Sequence, residues 1–94
     1  MSRVRRPIAA PSSAGITTVE LRRLDVDGRR FAVVLHCHLE AEHWHGRLLF
    51  TTADRVWSET SDEFHGGSVA DVLIQALSLP EPALTRRVRR VISG

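Results

Sequence analysis

Four of the five histidines lie in two His-x-His pairs separated by only four residues: His36 and His38, then His43 and His45. Imidazole nitrogens bind zinc at about 2.0–2.1 Å, so two such pairs on neighbouring strands could supply three or four ligands. However, the spacing matches no established zinc motif, and four ligands on a flat surface do not by themselves form a tetrahedron. Zinc binding by these histidines is therefore an alternative hypothesis, and the leading expectation is no cofactor. A third interpretation is a pH-responsive surface, because neighbouring imidazoles repel each other once charged.

The stretch from Phe31 to Phe50 must position these histidines. Every second residue from Phe31 to Leu39 is apolar, and a period of two over this length predicts a β-strand. The apolar face continues at Trp44, Leu48 and Phe50. Since the polar break at residues 40–42 is short, we predict two antiparallel strands joined by a tight turn.

A turn at Glu40-Ala41 would set the register of this hairpin and place all large apolar residues on one face. The predicted pairs on that face are Phe31 with Phe50, Val33 with Leu48, Leu35 with Gly46 and Cys37 with Trp44. The other face would carry His36 opposite His45 and His38 opposite His43. Because directly opposed residues have Cβ atoms only about 4.5–5.5 Å apart, this register predicts a two-by-two grid of imidazoles.

Further strands are predicted on both sides of the hairpin. Ile16 to Val26 alternates as a first strand, and Asp27-Gly28 is a strong two-residue turn signal. Residues 56–60 form a short fourth strand that would place Trp57 opposite Phe50. Residues 61–67 are interpreted as a loop that contains His65.

Two helices are predicted after this loop. Ser68 can cap the first helix together with Asp71 three residues later. Its apolar stripe consists of Val69, Val72, Leu73, Ala76 and Leu77. Pro80 and Pro82 end that helix. A second helix from residue 82 or 83 to Ile92 would bury Leu84, Val88 and Val91 and expose its arginines.

The predicted fold class is therefore α+β: a four-stranded antiparallel β-meander with one amphipathic α-helix packed on one face and a short basic C-terminal helix. Ninety-four residues suit one domain. Residues 1–15 are interpreted as a flexible basic N-terminal arm, and residues 16–94 as a single small α+β domain. No apolar run approaches the ~20 residues of a membrane span, and no signal peptide is recognisable. With one cysteine and 13 basic residues that are all arginine, a bacterial cytoplasmic protein is expected.

Catalysis is not expected from this sequence. Cys37 neighbours His36 and His38 in the chain, but successive strand residues point to opposite faces, so the thiol should face away from both rings. No Ser/His/Asp set or pair of carboxylates suggests a reaction. We therefore predict a protein that is not an enzyme.

A single layer of helix would leave the histidine face of the sheet open. That face also carries Ala32, Val34 and Leu49, and a half-apolar open face is typical of a surface that a partner covers. The leading hypothesis is a small non-catalytic interaction module that forms a homo-oligomer or binds a protein partner there. The predicted partner face consists of Ala32, Val34, His36, His38, His43, His45, Arg47 and Leu49.

The arginine-rich ends support a further alternative, non-specific binding of nucleic acid. The arginines involved are Arg3, Arg5 and Arg6 at one end and Arg86, Arg87, Arg89 and Arg90 at the other. Guanidinium groups clustered in this way could neutralise several phosphates. Residues that would read or stack on bases are missing, because tyrosine is absent and the two Trp and three Phe are expected in the core. An acidic protein partner would fit the same residues equally well.

Overall fold

The structure is a computed structural model that describes residues 15–94, and this part of the chain forms one antiparallel sheet and two helices. The strands are β1 (Ile16–Val26), β2 (Arg29–Glu40), β3 (His43–Thr51), β4 (Val56–Ser58) and β5 (Phe64–Gly66). The helices are α1 (Val69–Leu77) and α2 (Glu81–Ser93). The predicted α+β class with an antiparallel sheet is confirmed. All but the last residue of the predicted arm, including Arg3, Arg5 and Arg6, lies outside the described residues.

The first four strands lie side by side in chain order, and β5 pairs with β3. The two short strands use different parts of β3: β4 pairs with its end, placing Trp57 opposite Phe50 as predicted, and β5 pairs with its beginning. The interpretation of residues 61–67 as a loop is wrong at β5. Three residues are too few to show an alternating pattern, and β5 forms because β4 is too short to pair with all of β3.

A β-bulge changes which side chains of β1 face the core. Glu20 pairs with Val34 and Arg22 pairs with Val33, so one extra residue of β1 is accommodated between them. Before the bulge the odd-numbered residue Val19 is partly buried, and after it the even-numbered residues Leu24 and Val26 are buried. The bulge thus lets both halves of an imperfectly alternating strand contribute to one core.

Both helices contribute to the same hydrophobic core as the long strands. The centre of this core consists of Phe31, Val33, Leu35, Cys37, Leu48, Phe50, Val72 and Val88, all without exposed surface. The Ser68 hydroxyl accepts a hydrogen bond from the Asp71 amide, as the capping pattern predicted. The prediction that Leu77 belongs to the buried stripe is wrong. It is the last residue of α1 and is 57% exposed.

Candidate functional site

The turn between β2 and β3 lies at Ala41-Glu42, one residue later than predicted. Both residues have positive φ angles, 53° and 65°, as the two central residues of a type I′ hairpin turn require. Moving a two-residue turn by one position shifts every cross-strand pair by two residues. His38 therefore lies opposite His45, and His36 lies opposite Arg47.

The predicted pairs and the two-by-two imidazole grid are consequently wrong. On the core face the pairs are Val33 with Phe50, Leu35 with Leu48 and Cys37 with Gly46, and on the other face Glu40 lies opposite His43. Because the shift is an even number of residues, no side chain changes face. The histidines of β2 and β3 still lie on the side of the sheet away from the core.

Three histidines from three strands form an imidazole row, which we define as His38, His45 and His65. The rings of His38 and His45 are stacked, with centroids 5.4 Å apart and planes 19° apart. The rings of His45 and His65 meet edge to face at 4.8 Å, and their Nδ1 atoms are 2.9 Å apart. Sequence reasoning missed this row because His65 joins it only through the pairing of β5 with β3.

A side chain of α1 fixes the backbone of His65. The Gln75 amide group donates to the His65 carbonyl oxygen at 2.6 Å, and the His65 N–H donates to the Gln75 side-chain oxygen at 3.3 Å. The two bonds reproduce the hydrogen-bonding pattern of a neighbouring strand. Gln75 therefore satisfies the backbone N–H and C=O groups of His65 on the edge of β5 that faces away from β3. The backbone of β5 is therefore held by β3 on one side and by Gln75 on the other.

Asp62 is the carboxylate that faces the imidazole row. Arg47 donates to it at 2.8 Å through Nε, and the Nε2 atom of His38 lies 3.7 Å from its second oxygen. The Arg47 hydrogen bond holds the pKa of the Asp62 carboxyl below its usual value, against the opposing effect of desolvation. His38 Nε2 also lies 3.5 Å from a carboxylate oxygen of Glu40. This end of the sheet therefore places imidazoles beside carboxylates that can stabilise positive charge.

Within residues 15–94, no group of three or more His, Cys, Asp or Glu side chains is arranged to hold a metal ion. Of the four histidines in the zinc hypothesis, the structure brings His38 and His45 together, whereas His36 lies opposite Arg47 and His43 lies opposite Glu40. Cys37 is fully buried on the core side, and burial raises the pKa of its thiol, so it is placed as a buried apolar group and not as a nucleophile.

The open face, as we use the term, is the side of the sheet opposite the core and helices. The structure brings all eight residues of the predicted partner face onto it; His43, at the turn, is exposed and the other seven are half-buried. Of the shallow depressions on this surface, two are lined by its histidines. One, of about 220 Å³, is lined by His36, His38, Arg47, Leu49 and Ser58. The other, of about 380 Å³, is lined by Glu40, Ala41, His43 and His45.

The arginines of α2 have unequal roles. Arg87 is only 13% exposed and donates to both oxygens of the buried Glu59 carboxylate, at 2.7 and 2.9 Å, and to Glu63 at 2.7 Å. Arg89 pairs with Asp27. Arg86 and Arg90 are exposed and have no acidic partner among the residues described. Of the arginines named in the nucleic-acid hypothesis, Arg87 is thus engaged by two carboxylates within the fold, whereas Arg86 and Arg90 face solvent.

None of the described helices is both long and apolar enough to cross a membrane. No family model matches this chain, and no curated protein or solved structure is significantly similar to it.

Proposed function

We propose that this chain is a small non-catalytic interaction module that self-associates through the open face of its sheet. The observation that carries the proposal is the asymmetry of the sheet. Both helices contribute to the core on one side, whereas no element of residues 15–94 covers the centre of the open face.

The apolar side chains of the open face follow a diagonal line across it. Val34 and Leu49 are paired at the centre, Ile16 lies at one corner, and Val56 at the opposite corner. The two corner residues are 50% and 64% exposed. A two-fold axis along this line would place it against the same line of a second copy, which is how an isologous dimer interface is built.

The charges of the open face are compatible with such a contact. Its arginines are matched by carboxylates of the same chain: Arg23 with Glu20, Arg30 with Asp25 and Arg47 with Asp62. Two copies could therefore approach without a net repulsion between like charges, which would otherwise disfavour self-association.

The size of the face is also sufficient. Three strands of 9 to 12 residues, at about 3.3 Å per residue and about 4.8 Å between strands, cover roughly 500 Å². Two such faces in contact would bury about 1,000 Å², which is the lower limit for a specific interface. The expected assembly is consequently a weak or moderate dimer.

Sedimentation equilibrium of the full chain from about 10 μM to 1 mM tests the proposal. We expect reversible dimerisation at the upper end of this range, and loss of the dimer in Val34→Glu, since a carboxylate would be buried at the centre of the interface. Ile74→Glu is the matched control. Ile74 is 63% exposed on α1, away from the open face, so this variant should dimerise normally.

Two results would overturn the proposal. One is a wild-type chain that remains monomeric at 1 mM. The other is a dimer that survives Val34→Glu but is lost in Ile74→Glu, which would place the interface on the exposed side of α1.

A further inference from the structure

We propose that the hydrogen bond between His45 and His65 is a pH-sensitive latch that holds β5 against β3. The two Nδ1 atoms are 2.9 Å apart, which is the distance of an N–H···N hydrogen bond. A neutral imidazole has one donor and one acceptor nitrogen, whereas a protonated ring has two donors. The bond therefore forms when only one of the two Nδ1 atoms carries a proton and is lost when both do.

Besides this bond, β5 is held by the two hydrogen bonds from Gln75 to the His65 backbone, by the buried side chain of Phe64 and by a short ladder with β3. β5 is three residues long, and its ladder consists of Phe64 with Gly46, His65 with His45 and Gly66 with Trp44. Loss of the side-chain bond in the middle of so short a ladder should shift the equilibrium for local opening of β5.

The surrounding charges determine how many protons the pair accepts. From β2, His38 stacks on His45 and lies beside Glu40, while His43 lies two residues before His45 on β3. From the segment before β5, Asp62 faces the row with its Arg47 partner, and from α1, Asp71 lies against Gly66.

A first proton on the pair preserves the bond, because one Nδ1 atom can still accept. A second proton places two N–H groups and two positive charges face to face. The latch should therefore open only under acidic conditions, because the second proton adds to a pair that is already charged.

Nuclear magnetic resonance tests the latch in two ways. At pH 8, long-range ¹⁵N spectra of the wild-type imidazoles should show one ring of the pair protonated at Nδ1 and the other at Nε2. Between pH 7.5 and pH 5, the hydrogen-exchange protection factors of the β5 amides should fall about fivefold relative to those of β2, the effect expected for one lost hydrogen bond.

His45→Gln is the test variant and His36→Gln its control on the same face. The relative protection of β5 should become independent of pH in His45→Gln and should fall as in the wild type in His36→Gln. The proposal is overturned if wild-type protection does not change with pH, if His45→Gln shows the same fall, or if neither Nδ1 is protonated at pH 8. The last result needs no variant and decides the question even if His45→Gln does not fold.

The latch does not depend on self-association. All measurements can be repeated in Val34→Glu, which is designed to remain monomeric. Failure of the latch would leave the dimer proposal intact, and a monomeric wild type would leave the latch intact.

Discussion

Replacing Arg87 by Met should destabilise the fold strongly, although the sequence alone places this residue among solvated arginines. Its guanidinium makes three charge-assisted hydrogen bonds, two to Glu59 and one to Glu63. The Glu59 side chain is 9% exposed, so removing Arg87 leaves a nearly buried carboxylate without its counter-charge. Breaking such a pair from one side costs about 3–5 kcal/mol. Since domains of this size are stable by about 5–15 kcal/mol, the variant should be only marginally folded.

Equilibrium unfolding in urea, followed by tryptophan fluorescence, measures this cost. Arg86→Met is the control, because Arg86 is the adjacent exposed arginine of the same helix and should cost less than about 0.5 kcal/mol. Adding Glu59→Gln to Arg87→Met should recover more than about 1 kcal/mol, because Gln is neutral and can still accept the bond that Glu59 accepts from the Leu48 amide. The reasoning fails if Arg87→Met costs no more than Arg86→Met, or if the double variant loses the sum of both single costs.

Three more predictions concern residues beside the open face or under it. Gly46→Ala should lower the free energy of unfolding in urea by about 1–3 kcal/mol, because the new Cβ would lie 2.6 Å from Val72 Cγ1. The double variant Gly46→Ala/Val72→Ala should lose less stability than the sum of the two single variants, since the clash is then relieved. Additive losses would contradict this contact. Asp62→Asn should lower stability by about 1 kcal/mol at pH 7 and much less at pH 3. The Arg47 bond lowers the folded-state pKa of Asp62, so this contribution is present above the ordinary value of 3.8 and disappears as the pH falls through the lower folded-state value; an equal loss at both pH values would contradict it. Cys37 should react with a disulfide reagent at pH 7 only when the chain unfolds, since burial raises its thiol pKa, and fast labelling of the native protein would refute its placement.

The hairpin shows how far local pattern reasoning reaches. Alternation predicted both strands and assigned Cys37 and the histidines to opposite faces. It could not distinguish a turn at residues 40–41 from one at 41–42, because both registers keep every side chain on the same face. The two positive φ angles of the type I′ turn decide between the registers. Neither Ala41 nor Glu42 is a glycine or asparagine, the residues that usually indicate such a turn in a sequence.

The imidazole row and the Arg87–Glu59 pair show what local patterns cannot supply. His65 lies 20 residues from His45, and Arg87 lies 28 residues from Glu59. Each contact exists only because a short segment or helix docks onto the sheet. A strand of three residues such as β5 is too short to show a periodic pattern. The sequence does not distinguish the four arginines of α2, because only the packing of the helix determines which of them is buried.

The sequence by itself determined the types of β1 to β4 and of both helices, the capping of α1 by Ser68 and the division of the sheet into a core face and a histidine face. These follow from side-chain periodicity and local hydrogen bonding, which act within a few residues. Only the tertiary structure decided which histidines meet, which arginine is buried and where β5 joins the sheet. These features depend on turn geometry and on contacts between segments that are distant in the chain. Such contacts form, and stabilise the fold, only when the whole core is assembled.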